Sequence, residues 1–130
     1  REAILKSRFP DAIYRPSFDA YSKKMHALYK TSADGCIALQ EKMGRYRNTT
    51  ISMYLSKEKE IRSILAEIPT AQQTEEILSR AGFDIREFYA LYGKEKITDA
   101  VFYAKDLKDR YTVLWLYYDL FGGDRNVQQD

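Results

Sequence analysis

Apolar residues recur at three- and four-residue steps along almost the whole chain, with capping residues between the runs. That spacing lines one face of a helix. Strands need two-residue alternation and tight hairpin turns, and neither pattern occurs here. Asp34-Gly35 is the one hairpin-type dipeptide, and helix-phased residues flank it. The expectation is an all-α fold: a compact bundle of about six or seven helices over residues 1–123, followed by a polar tail over 124–130.

The segments have readable ends. "REAILKSRFPD" reads as the last two turns of a helix stopped at Phe9-Pro10, as if cut from a longer polypeptide. Ser17 is placed to cap a helix carrying Phe18, Tyr21, Met25, Leu28 and Tyr29. Thr31 or Ser32 opens the next, with a stripe of Cys36, Leu39 or Gln40, Met43 and Tyr46. Ser56 can divide the run that Pro69 closes. Thr70 with Gln73, and Asp84 with Glu87, have capping-box spacing; Gly82 and Gly93 stand where helices stop. Asp109 is the expected cap of a last helix that is apolar nearly all round, through Val113, Leu114, Trp115, Leu116, Leu120 and Phe121. Such a helix belongs at the centre of a bundle.

The 130 residues make one domain by size, with enough chain to bury a core. One cysteine allows no internal disulfide and points to a reducing compartment. No apolar run reaches the roughly 18 residues of a membrane span, and no secretory leader opens the sequence. The expected location is therefore cytoplasmic, with no membrane partner. Eleven tyrosines are an excess that suits seams and wet interfaces. Net charge is +2 overall, but residues 1–50 carry ten Lys/Arg against five Asp/Glu. The patches "YSKKMH" and "GRYRN" are too short, on so neutral a chain, to predict nucleic-acid binding.

Few residues offer chemistry. His26 and Cys36 are the only His and Cys, ten positions apart, which argues against a metal centre. Cys36 falls in an apolar stripe, where a small buried hydrophobe is expected rather than a nucleophile. Most carboxylate pairs have Lys or Arg at helical neighbours, as in Glu58 with Arg62. No phosphate-cradling glycine loop or nucleophile elbow is present. The exception is "KDLKDRYTVLWL". Lys108 and Arg110 fall at the start of the last helix, where free backbone N–H groups and cations make an anion site. Pairing of Arg110 with Asp106, one turn back, explains the same residues equally well.

"AKDLKDRYTVLWLYYDL" also resembles the closing segment of the sn-glycerol-1-phosphate dehydrogenase family, which typically ends in an Arg-Tyr-Thr-aliphatic-Leu stretch. Trp115 stands where that family often carries Asp. "IRSILAEIPTAQQTEEILSRAGF" is similar to its helix, Pro-Thr turn and helix, and "RPSFDAYSKKMHALYKTSADGCIALQEKMGRYR" looks like the insert of its bacterial members. The resemblance implies the helical C-terminal half of a dehydroquinate synthase-like fold, from an oxidoreductase of phospholipid biosynthesis. The parent would transfer hydride between NAD or NADP and dihydroxyacetone phosphate, using zinc or another divalent metal held by one Asp and two His. His26, followed by Ala27-Leu28, does not match the family's His-Gly motif. No catalytic, metal or cofactor-binding residue is therefore expected in this chain, which alone would be inactive. Its partner would be the missing N-terminal nucleotide-binding half, and an open apolar patch would mark that seam or a homodimer contact. Lys108 and Arg110, with the Thr112 hydroxyl, are the candidates for holding the substrate phosphate. The alternative is a free-standing helical protein-interaction module with a tyrosine-rich docking face.

Overall fold

Every regular element among the described residues is helical, as the apolar spacing requires. The computed structural model describes residues 1–13, 15–47 and 51–122; the tail expected over 124–130 lies outside them. In chain order the helices are α1 (Glu2–Lys6), α2 (Phe18–Tyr29), α3 (Ala33–Lys42), α4 (Ile51–Ser56), α5 (Glu58–Glu67), α6 (Ala71–Arg80), α7 (Ile85–Tyr103) and α8 (Val113–Phe121). Six have nine residues or more, and α1 and α4 are short. Single 3-10 turns, Lys30–Ser32 and Ala104–Leu107, follow α2 and α7.

Much of the local punctuation acts as the residue types dictate, but Ser32 at the start of α3 makes no side-chain capping bond, and Asp84 caps α7 without the expected reciprocal box with Glu87. The Ser17 hydroxyl accepts the Ala20 N–H. Thr70 and Gln73 form a reciprocal capping box, and the Asp84 carboxylate accepts the Arg86 N–H. The run from Ile51 divides after Ser56, and α5 ends two residues before Pro69. Gly82 and Gly122 take left-handed backbone after α6 and α8. At Gly93 the backbone is at φ 75°, ψ 159°, so α7 is two helices meeting at a kink.

Two apolar clusters meet on α8. Leu116 and Leu120 pack with Ile4, Phe9, Tyr54 and Leu65 from the α1, α4 and α5 side. Trp115 and Tyr118 pack with Tyr21, Met25, Ile37 and Tyr103 from the α2, α3 and α7 side. A helix walled on both sides must be apolar nearly all round, which explains its composition. Five-residue α1 is too short to persist alone. Arg62 of α5 holds it: its Nη1 donates to the Ile4 and Leu5 carbonyls at 3.1 and 2.9 Å, and its Nη2 to Ser7 at 2.7 Å. The same guanidinium lies 4.8 Å over the Phe9 ring.

One expected boundary is corrected. The last helix starts at Val113 with Thr112 as N-cap, not with Asp109, and the Thr112 side chain makes no capping bond. Lys108 is extended, at φ −135° and ψ 154°. The preceding 3-10 turn draws Lys105 and Asp106 into the core. The chain needs residues 108–112 to return from that turn to α8.

Gly93 generates a test. A Cβ there meets no atom within 4 Å, so only the backbone resists a side chain. Gly93→Ala should destabilise the protein by about 1–3 kcal/mol, read as a lowered urea midpoint with an unchanged slope.

Candidate functional site

Lys105 and Asp106 adjoin in sequence and are both buried, 3% and 0% exposed. The ammonium has three N–H groups, and each finds an acceptor. Lys105 Nζ donates to the Tyr21 hydroxyl at 2.5 Å, the Phe102 carbonyl at 2.9 Å and Asp106 Oδ2 at 3.0 Å. Rings of Tyr21, Phe102, Tyr103, Trp115 and Tyr118 surround it, with centroids 4.5–5.6 Å from the nitrogen. Their negative faces supply attraction that lost water no longer provides.

Asp106 is satisfied on both oxygens. Tyr21 donates to Oδ2 at 2.5 Å, and Tyr46 donates to Oδ1 at 2.6 Å. Backbone bonds fix the same turn. The Trp115 indole donates to the Lys105 carbonyl at 3.0 Å. Gln40, fully buried on α3, donates from Nε2 to the Asp106 and Lys108 carbonyls at 3.0 and 2.8 Å. Its Oε1 has no hydrogen-bond partner among the described residues.

A second network lies along α8. Asp119 Oδ1 pairs with Arg15 at 2.7 Å. Its Oδ2 accepts from Tyr54 at 2.7 Å and from Tyr111 at 2.9 Å, and the two phenol oxygens are 2.8 Å apart. Tyr111 is half-exposed, but its hydroxyl reaches inward. The Arg45 guanidinium stacks over the Tyr111 ring, 5.0 Å from its centroid.

Burial sets the electrostatics. It draws Lys105 down to about 8, against the opposing pull of Asp106. Burial, reinforced by Asp106, pushes the Tyr21 and Tyr46 hydroxyls far above the usual phenol range. Tyr54 and Tyr118 rise to about 12, again chiefly through burial. Exposed His26 is raised by the Ser22 carbonyl and then by Asp34, which its Nε2 meets at 2.9 Å. His26 thus ties α2 to α3 at the surface.

The loop from Leu107 to Thr112 is held at both ends. Gln40 grips its start through the Lys108 carbonyl, and Tyr111 anchors its far end on Asp119. Lys108, Arg110 and Thr112 are all exposed on it. Arg110 does not pair with Asp106, whose oxygens are engaged by Lys105, Tyr21 and Tyr46. Neither Lys108 nor Arg110 forms an ion pair with a described residue. The basic patch "YSKKMH" is largely neutralised: Lys23 pairs with Asp19 and Lys24 with Asp99, each at 2.8 Å.

The burial of Asp106 and Asp119 was not legible. Asp106 and Asp119 have ordinary helical neighbours in the sequence. The available signal was the tyrosine excess, since buried phenols need acceptors.

The described residues bring together no group of three or more His, Cys, Asp or Glu able to hold a metal ion. No described helix is long and apolar enough to cross a membrane.

The pKa shifts fix a pH dependence. Lys105 titrates near 8 in the fold and at about 10.4 in an unfolded chain. Its contribution is therefore present above the unfolded value and lost as pH falls through 8. Tyr21 and Tyr46 have raised folded values. Their contribution is full below the unfolded value of about 10 and declines above it. Urea midpoints should rise from about pH 7 to a maximum between about 8.5 and 10, then fall. In Lys105→Met the rise should shrink to the smaller part contributed by the N-terminal amine, which burial also lowers.

No family model matches this chain, and no curated protein or solved structure matches it.

Proposed function

We propose that this chain is the helical half of an NAD(P)-dependent polyol-phosphate dehydrogenase of the sn-glycerol-1-phosphate type, where it walls the substrate cleft and holds the substrate phosphate. Lys108 and Arg110 carry this reading. They are exposed, lack an ion-pair partner among the described residues, and lead directly into the α8 N-terminus. Thr112 leaves its hydroxyl free of a cap bond. Free N–H groups of the first helical turn, two cations and a hydroxyl suit a dianionic phosphate. Orienting a ketone for hydride transfer depends on gripping its remote end. A loop held from beneath by Gln40 and Tyr111 offers that grip without ordering cost at binding.

The segment resembling the family, Ala104–Leu120, also supplies Lys105, Asp106, Tyr111, Trp115, Tyr118 and Asp119 to the two networks. In this reading the segment builds the wall rather than performing the reaction. The described residues do not fit a divalent metal, so no step is assigned to one here. Nicotinamide and metal chemistry would reside on the nucleotide-binding half.

Arg110→Ala in the intact enzyme should raise KM for dihydroxyacetone phosphate by about 10-fold or more, the worth of one charge-assisted hydrogen bond, and leave KM for the nicotinamide unchanged. Equal effects on both would remove the anchor, and no nicotinamide-linked turnover by the intact protein would remove the enzyme.

One observation favours the second reading, a protein-interaction module. All of α6 and most of the first half of α7 are exposed. The Phe88 ring touches those of Phe83, Tyr89 and Tyr92 there, and Leu91 is 73% exposed. In the dehydrogenase reading this face is the seam with the nucleotide-binding half. Tyr89→Glu with Leu91→Glu should then abolish turnover of the intact enzyme while leaving this chain's helicity unchanged. Retained turnover would make the face a docking surface for another protein.

A further inference from the structure

Four arginines are partly buried among the described residues: Arg1, Arg15, Arg45 and Arg62. Three spend their donors inside the protein. Arg1 donates to the Leu65 and Ala66 carbonyls, Arg15 to Asp119, and Arg62 to Glu58 and the Ile4 carbonyl. The Arg45 guanidinium makes no hydrogen bond or ion pair with any described residue. Its Nε–H is buried without an acceptor, whereas Nη1 and Nη2 are not closed off. The carboxylates of the two adjoining networks are already engaged, Asp106 by Lys105, Tyr21 and Tyr46, and Asp119 by Arg15, Tyr54 and Tyr111.

Arg45 is nevertheless held in place. Its backbone N–H donates to the Gln40 carbonyl at 3.0 Å, just past the end of α3. Its guanidinium lies over the Tyr111 ring, and the Tyr111 hydroxyl is anchored on Asp119. Gln40 also holds the Lys108 carbonyl, so the end of α3 and the 107–112 loop form one unit. Covering a ring does not require a charge. Met or Leu would pack over Tyr111 without stranding a buried donor, which is a cost to folding. A guanidinium with a set plane and unspent terminal nitrogens suits two oxygens of one incoming anion.

We propose that Arg45 is the bidentate seat of an oxyanion site that Lys108 and Arg110 complete, and that its ligand is a phosphate monoester. Two phosphate oxygens accept from Nη1 and Nη2. The three cations outnumber Asp109, the one carboxylate of the 107–112 loop, which favours a dianion over a carboxylate. This deepens the phosphate-holding reading above, and only the identity of the phosphate-bearing substrate rests on that reading. The site itself rests on Arg45.

Inorganic phosphate is the probe, added to the full chain at constant ionic strength and without turnover. Phenylglyoxal modifies the terminal guanidinium nitrogens, so mass-spectrometric footprinting of the wild type reads each arginine separately. Phosphate should protect Arg45 saturably and leave Arg8 and Arg80, exposed elsewhere, unchanged. No protection at Arg45, or equal protection at Arg8, overturns the site. Acetate protecting as well as phosphate overturns the choice of ligand. Arg45→Lys keeps the charge and loses the fork, so phosphate affinity read by calorimetry should fall by about 10-fold. Unchanged affinity overturns the bidentate seat. If Arg45→Lys fails to fold, the wild-type footprint decides. Saturable protection in a protein without nicotinamide-linked turnover supports the site and removes only the dehydrogenase reading.

Discussion

An ammonium buried beside a carboxylate is the constraint to which much of this fold answers. Stripping water from two such ions costs several kcal/mol each. The cost is offset only where each donor and acceptor is met. Lys105 has its three acceptors and five rings around it, and Asp106 has Tyr21, Tyr46 and the ammonium. The partners are drawn from several elements: Tyr21 from α2, Tyr46 after α3, Phe102 and Tyr103 from α7, and Trp115 and Tyr118 from α8. The pair therefore works as a register pin among α2, α3, α7 and α8. Removing one member would strand the other, whereas an apolar replacement of both need not weaken the fold.

Asp119 repeats the device further along α8, with Arg15 as its cation and Tyr54 and Tyr111 as its phenols. Together the two networks engage six of the eleven tyrosines. Four phenols donate directly to the two carboxylates, while Tyr103 and Tyr118 supply ring faces to the ammonium. Tyrosine fits because its ring fills apolar volume while its hydroxyl reaches a polar atom. Leu or Phe would pack but leave the acceptors bare.

The same bonds give the exposed loop its definition. Lys108 and Arg110 extend outward from a backbone gripped on the inside, so their charges are presented from a nearly fixed base. The α6–α7 hairpin differs. Its aromatic residues contact one another but remain exposed, so its apolar face has no cover among the described residues.

Helical identity was legible because it is local. Ser17, the Thr70–Gln73 box, Asp84, Gly82 and Gly93 act within a turn of their own positions, and the structure places them accordingly. The central place of α8 was legible too, since only a helix walled on both sides needs so little polar surface. The sequence could not show which polar residues turn inward. Lys105 and Asp106 look like surface charges, and Asp109 looks like a cap. Only the assembled fold brings Tyr21, 84 positions from Lys105, and Tyr46, 60 from Asp106, to complete their bonds. Local sequence sets backbone conformation through short-range sterics and hydrogen bonds. Burial of charge is decided by partners remote in the chain, which become neighbours only when the helices pack.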